Sequence, residues 1–163
     1  VAEKRLTDHF TLREMTASPT AIRLGLDNTP PADLLGNLRE VAETLELVRA
    51  YFQRPVLVTS GYRSPEVNRA VGGSPTSAHC LGFAVDFTVV DVPNIDVCNW
   101  IAANIPDFDQ VIYEFGPNGW VHLGLAHRPR RQSLTAIKRD GRTVYQKGIV
   151  DLWGNLWGNL WGK

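Results

Sequence analysis

An aspartate in the middle of an apolar strand pattern limits what this chain can become. Residues Phe83 to Val89 alternate, with Ala84, Asp86 and Thr88 on one face and Phe83, Val85, Phe87 and Val89 on the other. Such a strand sets one face against a core and leaves a carboxylate on the second. A charge flanked by Val85 and Phe87 is costly unless it is paired, hydrogen-bonded or bound to a metal.

The sequence offers partners for it. His79 stands just upstream, in a stretch from Ser74 to Gly82 that reads as a loop, and His122 lies within Trp120 to Leu125, a second apolar strand. Taken singly, a strand histidine reads as a satisfied core residue and a strand aspartate as a structural acceptor. Taken together, two imidazoles and one carboxylate make a three-ligand set for Zn²⁺. Three protein ligands leave a fourth position for water, as catalytic sites do and closed structural sites do not.

The rest of the chain supplies a scaffold. Leu34, Leu38, Val41, Leu45, Val48 and Phe52 recur at three- and four-residue steps, predicting a core helix from Pro31 to Phe52. Pro30 and Pro31 suit its start. Pro55 to Ser60 reads as a short β-branched strand. Ser64 is placed to cap a short helix that has Pro65 at its first position and stops at Gly72-Gly73. Phe10 to Met15 opens another short helix, which Ser18-Pro19 ends. Ile95 to Ile105 reads as helical. Gln110 to Phe115 and Trp120 to Leu125 form a hairpin through Gly116-Pro117-Asn118-Gly119. Thr143 to Tyr145 adds a last strand. The expected fold class is α+β: an antiparallel sheet, helices packed mainly on one face, and the zinc site on the sheet.

Composition narrows the function. The 163 residues suffice for one domain with its own core. No window is apolar enough to span a membrane, and residues 1 to 6 show no signal-peptide h-region. Lys+Arg and Asp+Glu both number 17, which weighs against a general nucleic-acid binder. The charge is segregated, however. Residues 128 to 147 hold seven basic side chains and one acid, Asp140, and read as a solvated basic edge or a patch for an anionic polymer. Cys80 and Cys98 are too few for a disulfide framework and read as small buried side chains, with one disulfide open. His9 and His127 have no partner spacing and read as surface residues. At the end, Leu-Trp-Gly recurs at 152, 156 and 160. On a helix, Trp153, Trp157 and Trp161 would form a stripe, against the cost of three glycines. The segment 151–163 is expected to be a tail without a catalytic role, one that touches membrane or wall, or a self-association segment.

A family resemblance then appears. Ser60-Gly61-Tyr62-Arg63-Ser64, Asn68 to Gly73, Ser77-x-His79-x-x-Gly82-x-Ala84-x-Asp86 and Trp120-Val121-His122 resemble the M15 family of zinc D-Ala-D-Ala carboxypeptidases and peptidoglycan peptidases, most of all its small M15A-type, phage-endolysin-like members. The resemblance spans about residues 9–126 and, more weakly, a basic extension to 150, so that 1–150 forms one domain. It implies one Zn²⁺ per chain held by His79, Asp86 and His122. It also implies hydrolysis of peptidoglycan stem or cross-bridge peptides beside a D-amino acid, as a carboxypeptidase or an endopeptidase. The chain is then expected to be a monomer acting at the bacterial cell wall, in the periplasm or at the cell surface, and to be phage-encoded.

The resemblance also distributes roles. Arg63 contacts the substrate carboxylate or the developing oxyanion. Ser77 bonds substrate or orients His79. Tyr62 and Trp120 are pocket walls or packing. Many relatives carry the general base three positions before the last histidine, which here is Gly119. Glu114 is the nearest acid upstream and is taken as the base, with Asp107 and Asp109 as weaker substitutes. Hairpin register decides the matter: a four-residue loop would put Tyr113 opposite His122, whereas a five-residue loop or a bulge puts Glu114 on the His122 face. An irregular turn is therefore expected. Two other classes stay open, a non-catalytic zinc-stabilised wall-binding domain and DNA binding through the basic segment.

Overall fold

The computed structural model describes residues 3–154. The helices are α1 (Leu12–Thr16), α2 (Pro19–Leu24), α3 (Leu35–Phe52), α4 (Pro65–Ala70) and α5 (Asn94–Asn104). The strands are β1 (Val56–Ser60), β2 (Ala84–Val89), β3 (Gln110–Glu114), β4 (Trp120–Gly124), β5 (Gln132–Arg139) and β6 (Arg142–Lys147). They form one sheet in the order β1-β2-β4-β3-β5-β6. The chain is α+β, as expected. No described helix is long and apolar enough to cross a membrane.

The two faces of the central strands differ sharply. Val85, Phe87, Val111, Tyr113, Val121 and Leu123 are buried, and they pack with α3 and α5 in one core. From α3 come Leu38, Val41, Ala42, Leu45 and Val48, each fully buried. The predicted apolar stripe is therefore the helix face that meets the sheet. A short 3-10 turn, Ala32–Leu34, precedes α3, so the prolines start a tighter turn before the helix proper. In α4, the Ser64 hydroxyl accepts from Val67 N at 3.2 Å, with Pro65 in the first turn. The even-numbered strand positions, Asp86, Ile112, Glu114 and His122, share the opposite face through the registers Asp86↔His122, Ile112↔His122 and Glu114↔Trp120.

The sheet departs from the expected antiparallel pattern at one place. β3 and β5 are parallel, while the other neighbours are antiparallel. No long crossover is needed. β4 ends beside Gln110, and β5 starts beside the same residue through the pairs Gln110↔Gly124 and Gln110↔Gln132. The connection 125–131 only has to step over the start of β3. Asp109 pins it, because its carboxylate accepts from Arg130 N at 2.9 Å, Arg130 Nε at 3.0 Å and Arg130 Nη2 at 2.7 Å.

The basic segment is thus less free than a solvated edge. Residues 132–139 form the unpredicted strand β5. Arg131 reaches the carbonyl oxygens of Ala102, Ile105 and Pro106 and lies over the Phe108 ring. Its cation closes the C-terminal end of α5, where unpaired carbonyls gather. His9 lies on the surface as expected, but it has a partner: its Nδ1 is hydrogen-bonded with Glu46 Oε2 at 2.8 Å. Both cysteines are free thiols, with Cys98 buried and Cys80 half-buried.

After β6 the chain folds back onto the core. Thr135 Oγ1 donates to Gly148 O at 2.8 Å and accepts from Val150 N at 2.9 Å. Asp151 Oδ1 accepts from Trp153 N and Gly154 N, forming an Asx turn. Trp153 then meets Tyr113 edge-on, with ring centroids 5.3 Å apart. The first tryptophan of the repeat therefore packs on the domain. The second and third units, and with them the expected stripe through Trp157 and Trp161, lie outside the described residues.

Candidate active site

A cleft of about 700 Å³ opens on the even-numbered face of the sheet. At its floor, one donor atom each from His79, Asp86 and His122 lies within 4.8 Å of the others. His122 Nδ1 is 2.9 Å from Asp86 Oδ1, and His79 Nε2 is 3.4 Å from Asp86 Oδ2. β2 and β4 supply Asp86 and His122 as a directly opposed pair.

His79 arrives from a 3-10 turn, Ala78–Leu81, within the segment read as a loop. Ser77 caps that turn, its hydroxyl accepting from His79 N at 3.3 Å. The Nδ1 atom of His79 lies 2.7 Å from the Gly61 carbonyl oxygen. A carbonyl can only accept, so Nδ1 carries a proton and Nε2 is the nitrogen turned toward Asp86. This is how an outer hydrogen bond fixes the tautomer of a metal-ligating imidazole.

Burial alone would raise the Asp86 pKa. Hydrogen bonds and charge from His122 and His79 outweigh it and hold the carboxylate well below its usual range. The donor set fits a divalent ion such as Zn²⁺: two imidazoles, one ionised carboxylate, and an open cleft on the remaining side.

Glu114 joins the group from β3. It pairs with Trp120, so the connection is the five-residue stretch 115–119. Phe115 takes the left-handed conformation at φ 61°, followed by Gly116 at φ 80°, and a 3-10 turn covers Gly116–Asn118. The expected irregular turn is present. Glu114 Oε1 stands 4.0 Å from His122 Nδ1. Burial, aided by the negative charge of Asp86, pushes its pKa up to about 7, while His122, Arg63 and Lys138 pull it back. A carboxylate in that range exchanges protons readily at neutral pH.

The other predicted residues divide. Arg63, Ser77 and Trp120 line the cleft. Arg63 Nε and Trp120 Nε1 are buried and have no hydrogen-bond partner among the described residues. Trp120 also packs edge-on against Phe115 at 5.2 Å. Tyr62 is not brought to the cleft: it is 3% exposed and belongs to the core beneath β1. Asp109 borders the cleft, but Arg130 occupies its carboxylate.

His127, read as a surface residue, is exposed and also lines the cleft, with its ring edge-on to Phe83 at 5.1 Å. Gln110 and Tyr145 were also missed. Gln110 shares the parity of Ile112 and Glu114 on β3, a signal already present in the sequence. Tyr145 depends on the pairing of β5 and β6, which the sequence reading lacked.

Fold and site together define a class: an α+β domain whose sheet presents three side chains that could hold a metal ion, with a half-buried carboxylate beside them, in an open cleft. The family model described as Peptidase M15 matches residues 8–124, and the chain belongs to that family. Peptidases of this family are zinc-dependent, and His79, Asp86 and His122 are the group that could hold the ion. No curated protein matches the chain. Arg63, His79, Asp86, Glu114 and His122 all fall inside the matched span, whereas β5 and β6 lie beyond it.

Proposed function

We propose that this metallopeptidase hydrolyses peptidoglycan peptide bonds next to D-amino acids, as a D-Ala-D-Ala carboxypeptidase or a cross-link endopeptidase at the bacterial wall. One observation carries the reading: the donor atoms of His79, Asp86 and His122 converge within 4.8 Å, and Glu114 lies 4.0 Å from His122 on the same face. His79, Asp86 and His122 would hold a zinc ion, which would supply an acidified water and polarise the scissile carbonyl.

The chain's own groups do the rest. The Gly61 carbonyl and Ser77 fix the orientation of His79. Asp86 stays ionised between the two imidazoles. Glu114 accepts the proton of the attacking water and passes it to the leaving amine nitrogen. A group with a pKa near 7 serves both directions of that transfer. Arg63 lines the cleft, where planar paired donors suit a carboxylate or a developing oxyanion. Trp120 forms the wall beside Glu114.

The deciding experiment is mass spectrometry of the products from a defined muropeptide, with and without a chelator. Release of D-Ala, or cleavage at a D-amino-acid cross-link, that the chelator abolishes and added zinc restores is the expected result. Intact substrate at every zinc concentration would sink the proposal.

A further inference from the structure

We propose that Tyr145 is a substrate-specificity residue, gripping the part of the peptide that lies upstream of the scissile bond. The inference rests on the peptidase reading above and extends it to a strand outside the family-matched span.

Register places the residue. Glu114 pairs with Ala136 across β3 and β5, and Ala136 pairs with Tyr145 across β5 and β6. Paired residues share a sheet face, so Tyr145 stands on the same face as Glu114 and the ligand trio. Ala136 between them is fully buried and small, so no side chain walls Tyr145 off from Glu114. The Tyr145 ring lines the same cleft and is 55% exposed.

Distance and direction follow from the topology. Two strand spacings separate β6 from β3 by about 10 Å. That is the length of about three residues of extended peptide. Arg63 follows β1 at one edge of the sheet, and Tyr145 sits on β6 at the other. A substrate whose C-terminal carboxylate points toward Arg63 therefore runs its preceding residues toward Tyr145. Partial burial, with the charges of Glu114 and Asp86, raises the pKa of the phenol, so it meets that peptide as a neutral donor with a flat apolar face.

A ladder of substrates tests this. Zinc-loaded full-length chain is assayed on acylated D-Ala-D-Ala peptides preceded by no, one, two or three residues. The specificity constant should rise as the added residues reach β6. Tyr145→Ala should remove about tenfold of that gain, through KM and not kcat, the scale of one aromatic contact. It should leave the shortest peptide unaffected, and Tyr145→Phe should recover most of the loss. Equal effects on the shortest and longest peptides would overturn the assignment.

Calorimetric binding of the longest and shortest peptides to the same zinc-loaded proteins separates the two claims. If wild type cleaves nothing yet binds the longest peptide more tightly, and Tyr145→Ala abolishes that difference, the peptidase reading fails and the Tyr145 contact stands. Length-independent binding overturns the contact.

Discussion

The carbonyl oxygen of Glu114 occupies the space that a Cβ on residue 119 would need, so Gly119 and Glu114 are fitted backbone to backbone. Position 119 is where many relatives of this family carry their acid. In this chain no side chain fits there, and the hairpin turn delivers its carboxylate from 114 instead. Under the proposed mechanism, with Glu114 as the base, the departure from the family pattern is a relocation of that base. Gly119→Ala should cost about 1–3 kcal/mol, because the clash is with rigid backbone. A thermal melt of the variant checks this; an unchanged midpoint would mean the turn can open freely.

Glu114→Gln keeps shape and removes the proton acceptor. Turnover should fall by about 10²–10⁴, the usual worth of a positioned general base. The bound-zinc content should stay at that of wild type, since Glu114 is outside the trio. Metal analysis alongside single-turnover rates distinguishes this from loss of the ion.

His79→Ala should lose ion and activity together. Two donors hold zinc poorly, and the variant also leaves the Gly61 carbonyl without its partner. Competition with a chromophoric chelator should show affinity falling by at least about 100-fold, the upper end of what even outer-shell losses produce. Stoichiometric zinc in the variant would remove His79 from the site.

Asp109 gives a pH signature away from the metal. Its hydrogen bond with Arg130 is the largest influence on its pKa and, against partial desolvation, holds it below the ordinary carboxylate value. A depressed folded-state pKa means the stabilisation is fully present above about pH 4, the unfolded value. It is lost as pH falls from there through the folded value. Asp109→Asn should therefore be less stable than wild type by about 1–2 kcal/mol at neutral pH, a charge-assisted hydrogen bond tempered by the exposure of Arg130. The gap should narrow as pH falls below about 4. Denaturant titrations at pH 7 and pH 3 measure both; a gap undiminished at pH 3 contradicts the linkage.

Trp153 packs on Tyr113, and a Cβ at Gly116 would come within 2.6 Å of its ring. Trp153→Ala should lower stability by about 1–2 kcal/mol, less than for a fully buried tryptophan because the ring is half-buried. Hydrolysis of a short peptide should persist below the melting transition. An unchanged melt would assign the contact no energetic role.

Much of this was legible in the sequence because it is written in parity and spacing. The alternation around Asp86, the stripe of α3 and the cap at Ser64 each depend on neighbours within one element. The placement of Glu114 could be reduced to a choice between two loop lengths, and the five-residue one occurs. β5 was hidden because its burial is two-sided and sparse: Leu134 and Ala136 face the cleft side, Thr135 the core, and charged residues follow. Its parallel pairing depends on Asp109 gripping Arg130, a contact between residues whose partnership no local pattern announces. Tyr62 was drawn toward the site by its neighbours in the Ser-Gly-Tyr-Arg string, yet the chain leaving β1 turns its ring into the core.

The odd-even division of the central strands has an evolutionary consequence. Residues that keep the sheet on its helices and residues that line the cleft alternate along the same few segments, so neighbours in sequence face opposite sides of the sheet. Under the proposed function, drift at the second set would change which bond is chosen while the first set preserves the architecture.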